Sequence, residues 1–187
     1  MIIRKEIIVL GALEFSSIVA GFMAMDAMVK TAPVKIVEAR TISSGKYLII
    51  FTGDVASVEY AFNKGIETGA GHVVDSLFLP QIHQDVIPAL GNIVRTGSWD
   101  AIGIIETKSV ISGIEAADAA AKAGDVKIIE IRLADGFGGK SYVKMTGSLT
   151  DVQTSVAAGI SIAKAKDTLC METIIPQPHR EIMPFFM

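Results

Sequence analysis

The sequence predicts an α/β (α+β) protein built from two tandem ferredoxin-like domains, each with the order β-α-β-β-α-β-α. Three observations predict this fold class. The chain repeats itself at a fixed distance, runs of strand length alternate with segments of helical periodicity, and in each copy a short glycine-containing loop joins two strands directly. A duplication within 187 residues gives two domains of about 90 residues, a normal domain size.

The repeat aligns without a gap over its first part. Residues 11–40 and 103–132 share 13 identities in 30 positions, each pair 92 residues apart. The second copy then has two extra residues inside its loop, and residues 176–179 (Pro-Gln-Pro-His) later match residues 80–83 (Pro-Gln-Ile-His). The chain is therefore a tandem duplication. We predict domains at 1–95 and 96–187, joined through the turn-rich segment 91–101. The matched residues of the first copy are Gly11, Glu14, Ser17, Gly21, Ala24, Asp26, Ala27, Lys30, Val34, Lys35, Ile36, Glu38 and Arg40.

Each copy begins with a strand and a helix. Residues 7–13 have the length and composition of a buried strand, and Ser16 or Ser17 then offers a helix N-cap. Small residues keep part of this helix slim, so that it can lie close to a sheet or to a neighbouring subunit. Pro33 ends the helix in the first copy, and Gly124 ends it in the second. The larger apolar residues at helical spacing are Ile18, Phe22, Met25 and Val29.

The remaining elements follow in the same order in both copies. In the first copy, strands at 34–42 and 46–52 flank the loop, and Asp54 caps a helix over 55–70. In the second, residues 148–151 (Ser-Leu-Thr-Asp) resemble a capping box with Asp in place of Glu. Strands at 73–79 and 169–175 end the copies, each followed by Pro, His and a short helical tail.

The composition argues against several classes of protein, including membrane-spanning and nucleic-acid-binding proteins. Half of the residues are hydrophobic, one fifth are charged, and the mean hydropathy is +0.48, yet no apolar run approaches the ~20 residues of a membrane-spanning helix. This combination indicates large subunit interfaces. The net charge of −3, without a basic stripe, gives no nucleic-acid signal. The charged N-terminus, residues 1–6, does not resemble a signal peptide, and a single cysteine fits the reducing cytoplasm.

No group of residues predicts catalysis. The three histidines, His72, His83 and His179, are not at helical ligand spacing. The glycine-rich run before Lys140 lacks phosphate-loop spacing, and a strand follows it instead of a helix. We expect Cys170 to be a small buried hydrophobe in a strand, and Trp99 to pack where the two copies meet. The sequence therefore predicts a protein that is not an enzyme, with no metal site and no cofactor.

Together these segments resemble the shell proteins of bacterial microcompartments, in their tandem-domain form. The resemblance rests on residues 13–21 and 26–30, the loop 43–46, the turn 52–55, residues 104–107 with 116–119, and residues 176–179. It covers nearly the whole chain. Members of this family assemble as trimers whose six domains form a pseudohexameric tile of the shell. The resemblance implies a cytoplasmic protein in the microcompartment shell, with its own copies, other shell proteins and small polar metabolites as partners, and neither nucleic acid nor membrane.

The resemblance also implies positions for two functional regions. The loop between the second and third strands of each domain lines a central pore, and tiles meet edge to edge through a lysine at the end of the first helix. The pore-lining positions are Ser43, Ser44, Gly45, Asp135, Gly136, Phe137 and Gly138. The tile-edge positions are Lys30, Lys122, Gln81, His83, Gln177 and His179.

Two departures from the family pattern matter. Members of the propanediol-utilisation type carry a cysteine in the first pore loop, where three copies hold an iron–sulfur cluster, whereas this chain has Ser43, a poor ligand for cluster iron. The edge motif often has Arg where this chain has Gln81 and Gln177, which removes a bidentate donor. For Phe137 two alternatives stay open, a swinging loop that narrows the pore or a static loop. A second function is also open, a ferredoxin-like regulatory protein that binds small molecules.

Overall fold

The computed structural model describes residues 7–96 and 99–186, which fall into two compact units. Of the described residues, the first unit holds 7–84 with 135–139, and the second holds 85–134 with 140–186. The charged N-terminus at 1–6, which does not resemble a signal peptide, lies outside the described residues. So does part of the predicted junction, residues 97 and 98.

The first unit contains one four-stranded antiparallel sheet. The strand order is β2-β3-β1-β4, so the first and third strands lie in the centre. Its two long helices cover one face of the sheet. In chain order the elements are β1 (Leu10–Phe15), α1 (Ile18–Thr31), β2 (Lys35–Ile42), β3 (Lys46–Thr52), α2 (Val55–Thr68) and β4 (Val73–Leu79).

The second unit repeats this arrangement, with strand order β6-β7-β5-β8, and begins with the short helix α3. Two such sheets, each with two helices between its strands, confirm the predicted α/β fold with tandem ferredoxin-like domains. Its elements are α3 (Val86–Ala89), β5 (Ala101–Thr107), α4 (Val110–Ala123), β6 (Lys127–Ile131), β7 (Ser141–Gly147), α5 (Leu149–Ala165) and β8 (Leu169–Pro176). A 3₁₀ turn over Arg180–Phe185 follows the last strand.

The predicted helix caps are present. The Ser17 hydroxyl accepts a hydrogen bond from the Ala20 amide at 3.3 Å, and Asp54 accepts from the Ser57 amide at 2.9 Å. Ser148 caps α5 and also donates to the Asp151 carboxylate at 2.5 Å. The first strand begins at Leu10 and not at residue 7, although Ile7 and Val9 are buried.

Helix α1 presents its small residues to the sheet. Ala20, Gly21 and Ala24 are buried in the single chain, together with Met28. Of the larger apolar side chains predicted from the helical spacing, Met25 packs partly against the core, whereas Ile18, Phe22 and Val29 lie on the outer side, and Phe22 is 53% exposed. The slim side of the helix is therefore the side that packs inward, and the apolar stripe remains on the surface of the single chain. Its exposed residues are Ile18, Val19, Phe22, Met23 and Val29.

The prediction that Cys170 is buried in its strand is wrong. Cys170 is half-exposed and not buried, because β8 is an outer strand of its sheet with a neighbour on one side only. Trp99 packs against Phe186 of its own unit, with ring centroids 6.3 Å apart. No described helix combines the length and the hydropathy that crossing a bilayer requires.

Candidate functional site: two loops and the helix ends

The first predicted pore loop is a tight 3₁₀ turn between β2 and β3. It spans Ser43–Gly45, and both Ser44 and Gly45 adopt left-handed backbone angles, with φ of 67° and 70°. A Cβ added to Gly45 would meet nothing within 4 Å, so glycine serves the backbone conformation here and not close packing. Ser43 is half-buried, while Ser44 and Gly45 are exposed. The loop therefore offers hydroxyl and backbone groups to solvent.

The second predicted pore loop, between β6 and β7, is longer and has more left-handed residues. Gly136, Gly138 and Gly139 have φ of 77°, 60° and 85°, and Ala134 has φ of 61°. Residues 135–138 are all exposed, and Phe137 is 42% exposed. The glycines allow the loop to turn back towards the first loop, with which it forms part of the first unit.

Two interactions join the loops within that unit. The Gly136 amide donates a hydrogen bond to the Ser43 hydroxyl oxygen at 2.7 Å, and the Arg40 guanidinium forms an ion pair with the Asp135 carboxylate. The Ser43 oxygen therefore already accepts one bond, and the negative charge of Asp135 has a cation beside it. Sequence reasoning placed Ser43, Asp135 and Gly136 in these loops but missed Arg40, although the repeat alignment contains Arg40 as a matched residue.

An ion pair anchors the base of each loop. The Lys46 ammonium lies 2.7 Å from the Glu14 carboxylate, and Lys140 lies 2.8 Å from Glu106. The pairs differ in burial, because the Glu14 and Lys46 side chains are 0% and 17% exposed, whereas those of Glu106 and Lys140 are 34% and 52% exposed. The hydrogen bond and the charge of Glu106 raise the pKa of Lys140. The repeat alignment matches all four residues but does not show that they pair.

The predicted tile-edge lysines each bind an aspartate one turn earlier. Lys30 lies 2.6 Å from Asp26, and Lys122 lies 2.6 Å from Asp118, both at (i, i+4) spacing with the acid on the N-terminal side. The side chains of Lys30 and Lys122 are 72% and 44% exposed. Both ammonium groups are therefore oriented at the ends of their helices and remain accessible. Sequence reasoning placed the aspartates on the helix but missed this pairing.

The other predicted edge residues follow the last strand of each unit. Gln81 and Gln177 are exposed, His83 is half-buried and His179 is exposed. The Gln177 backbone is left-handed, with φ of 49°, and its amide donates to the carbonyl of Asp100 at 2.8 Å. His179 accepts a hydrogen bond at Nδ1 from the Glu181 amide at 3.3 Å, which begins the C-terminal 3₁₀ turn.

A buried polar cluster in the second unit holds the end of the chain. Lys144 lies 2.9 Å from the Glu130 carboxylate, and both side chains are almost fully buried. The Lys144 ammonium also donates to the carbonyl of Phe186 at 2.8 Å. Burial and the neighbouring Glu130 charge raise the pKa of Tyr142, whose hydroxyl hydrogen-bonds to that carboxylate at 3.1 Å. The contacts of this cluster are structural. Within the ranges 7–96 and 99–186, no group of three or more His, Cys, Asp or Glu residues could hold a metal ion.

The family model of the BMC domain matches the chain twice, over residues 9–82 and 101–178. The bacterial microcompartment shell protein PduT of Citrobacter freundii is 39% identical over 173 residues, which is 92% of this chain and 94% of that protein. The carboxysome shell protein CsoS1 of Prochlorococcus marinus is 38% identical over 85 residues, which is 45% of this chain and 81% of that protein.

Solved structures agree with these matches. The crystal structure of a microcompartment protein from Desulfitobacterium hafniense DCB is 40% identical, with a TM-score of 0.84, and the match covers 95% of this chain and 99% of that one. A fused permuted hexameric shell protein of the RMM microcompartment, 19% identical with a TM-score of 0.64, shares the fold over 83% of this chain. With the BMC domain present twice and a tandem relative aligned over nearly its whole length, the chain belongs to the bacterial microcompartment shell protein family.

Proposed function

We propose that three copies of this chain form a closed ring of six BMC domains, which tiles the microcompartment shell together with other shell proteins in the bacterial cytoplasm. A duplicated chain under threefold symmetry gives nearly sixfold symmetry, which lets it occupy a place in a hexagonal layer. The relatives are shell proteins. The role proposed here is likewise structural and not catalytic.

One observation carries the proposal, the unequal burial of the same helix face in the two repeats. Val19 and Phe22 on α1 are 69% and 53% exposed, while their counterparts Ile111 and Ile114 on α4 are fully buried. Large exposed apolar patches on a soluble chain mark interaction surfaces. The repeat thus has one copy of this surface covered within the chain and one copy uncovered, as expected for a subunit that joins others head to tail in a ring.

The two candidate pore loops would then meet around the threefold axis. Ser43 and Ser44 place hydroxyl groups there, which can donate and accept hydrogen bonds, beside the backbone groups of the glycine-rich second loop. The pairing of Arg40 with Asp135 keeps both signs of charge together. A lining without a ring of one formal charge suits small polar metabolites and does not strongly select ions.

Contacts between rings would use the helix ends. Lys30 and Lys122 have exposed ammonium groups oriented by Asp26 and Asp118, so they can reach across an edge. Gln81, His83, Gln177 and His179, which follow the last strands, would complete these edges. In this proposal the hexagonal layer depends on the lysines, while the trimer depends on α1.

Sedimentation velocity at micromolar concentration tests the trimer. We expect the parent protein to sediment with the mass of three chains. Phe22→Asp should yield monomers, because it places a carboxylate in the apolar face of α1, whereas Phe22→Leu, which keeps the face apolar, should remain trimeric. A stable monomer in the parent protein, or a trimer unaffected by Phe22→Asp, would contradict the proposed ring.

A further inference from the structure

The segments that follow the last strand of each repeat are themselves repeated. Residues 80–90 and 176–186 align with an offset of 96, with identities at Pro80, Gln81, His83 and Pro88. Asp85 of the first segment corresponds to Glu181 of the second, so the acid is retained. We name these segments the first tail (80–90) and the second tail (176–186). The two tails should therefore be able to make similar contacts.

The first tail is buried against an outer strand. Its helix α3 packs on β6 and α4 of the second unit. The apolar residues of the tail that this packing buries are Val86, Ile87, Ala89 and Leu90, each at most 5% exposed.

An ion pair and backbone bonds fix this contact. Lys127, the first residue of β6, lies 2.8 Å from the Asp85 carboxylate. Just beyond the tail, the Gly91 amide donates to the carbonyl of Ile131 at 2.9 Å, and the Val94 amide donates to that of Ile129 at 2.8 Å. The outer edge of β6 is thereby covered, and four of its five residues are buried.

The second tail has an acidic residue followed by apolar residues, as the first tail does, but these side chains are exposed. Ile182, the counterpart of Val86, is 36% exposed, and Phe185, the counterpart of Ala89, is 85% exposed. Glu181 is also exposed, and no ion pair of its side chain is found among the described residues. The bond from Lys144 to the Phe186 carbonyl holds the end of this tail against its own unit, so its outer side chains are presented from a fixed position.

The surface of the first unit that corresponds to β6 is also exposed. Strand β2 is the counterpart of β6, and Lys35 is the counterpart of Lys127. Only one of the eight residues of β2 is buried, and Lys35 is exposed, with no ion pair in the part of the chain that the structure describes. An outer strand with free edge groups next to an exposed apolar helix is a surface that a second chain can cover.

We infer that residues 181–185 of the second tail of one copy dock on β2 and α1 of a second copy, with Glu181 forming an ion pair with Lys35 of that copy. The inference rests on the proposed trimer and specifies which segments join its subunits. The contact is head to tail, because the surface that docks and the surface that receives are different, and such contacts close into rings. The contact between the first tail and β6 inside one chain serves as its template.

A zero-length carbodiimide cross-linker tests this contact, because it joins a carboxylate to an amine only where the two groups touch. We would treat a one-to-one mixture of unlabelled and ¹⁵N-labelled protein, assembled together, and identify the linked peptides by mass spectrometry. The Asp85–Lys127 link, 2.8 Å within one chain, is the internal positive control and should carry a single isotope label. The Glu181–Lys35 link should appear with mixed labels, which proves that it joins two copies.

The variant Glu181→Gln provides the matched control, since it removes the reactive carboxylate with little change in size. It should abolish the Glu181–Lys35 link and leave the Asp85–Lys127 link intact. If the protein sediments as a trimer and yields the control link but no mixed-label Glu181–Lys35 link, the docking inference is wrong while the ring stands. A protein that sediments as a monomer overturns both.

Discussion

Each repeat has a Glu–Lys ion pair at the base of its loop, and the two pairs differ in burial. The pair between Glu14 and Lys46 therefore allows a quantitative test of how burial changes the contribution of such a pair to stability. The Glu14 side chain is fully buried, and the Lys46 ammonium lies 2.7 Å away. Removing one partner of a buried pair costs about 3–5 kcal/mol, because the remaining charge loses its compensation in a medium of low polarity. Glu14 keeps a further interaction, so we expect Lys46→Met to cost about 3 kcal/mol, near the lower limit. For a chain of this size, that lowers the melting temperature by roughly 6–12 °C.

The second repeat supplies the control. Lys140→Met removes the equivalent ammonium from Glu106, but both side chains of this pair are at least one third exposed, so water screens the attraction between them and the pair contributes little to stability. Melting followed by circular dichroism, at one protein concentration because assembly shifts the midpoint, should show a large decrease for Lys46→Met and a decrease of less than about 4 °C for Lys140→Met. Equal shifts for the two variants would refute the reasoning from burial.

Three further predictions concern a cap, the edges and the pore. Bonds from Ser57 hold the pKa of Asp54 below its ordinary value, so this cap stabilises the fold above the unfolded pKa and loses its effect as pH falls through the folded one. Asp54→Ala should therefore lower the melting temperature at about pH 7 and have little effect at about pH 2; a shift of the same size at both would exclude the ionised cap. Lys30→Ala combined with Lys122→Ala should abolish hexagonal sheets in electron micrographs of concentrated protein and leave the trimer unchanged, and sheets as abundant as in the parent would rule these lysines out as edge contacts. The parent trimer should contain no iron, whereas Ser43→Cys should bind a metal or cluster after anaerobic reconstitution, and thiols shown to be far apart would place this loop away from the axis.

The fold could be predicted because the helix caps and turns depend on residues close together in the sequence, and these residues occur in both copies of the repeat. The caps at Ser17 and Asp54, and the glycine at the first loop, act within a few residues of the chain, and the repeat showed each of them to have a counterpart. The exposure of Cys170, in contrast, could not be predicted from its neighbours in the sequence. An apolar run that predicts a buried strand is half-exposed when the strand lies at the edge of its sheet. The order of the strands depends on contacts between residues that are distant in the sequence, so local patterns do not reveal it.

The sequence predicted that residues 43–45 and 135–138 lie in loops between strands, but it did not predict the interactions that these loops make. Residues 40 and 135 are far apart in the sequence, and nothing near either of them indicates that Arg40 meets Asp135 or that Gly136 donates to Ser43. The apolar spacing of α1 likewise identified residues that share a face, but not that this face lies outward. That required the comparison of α1 with α4, whose corresponding face is buried, and this comparison now supports the ring.

Cryo-electron microscopy of the assembled particle would test the central claim most directly. We expect a ring of three chains with near-sixfold symmetry, in which α1 of each chain is covered by the next chain and the loops containing Ser43 and Phe137 surround the central axis. Particles containing one or two chains, or a ring with these loops at its outer rim, would contradict it.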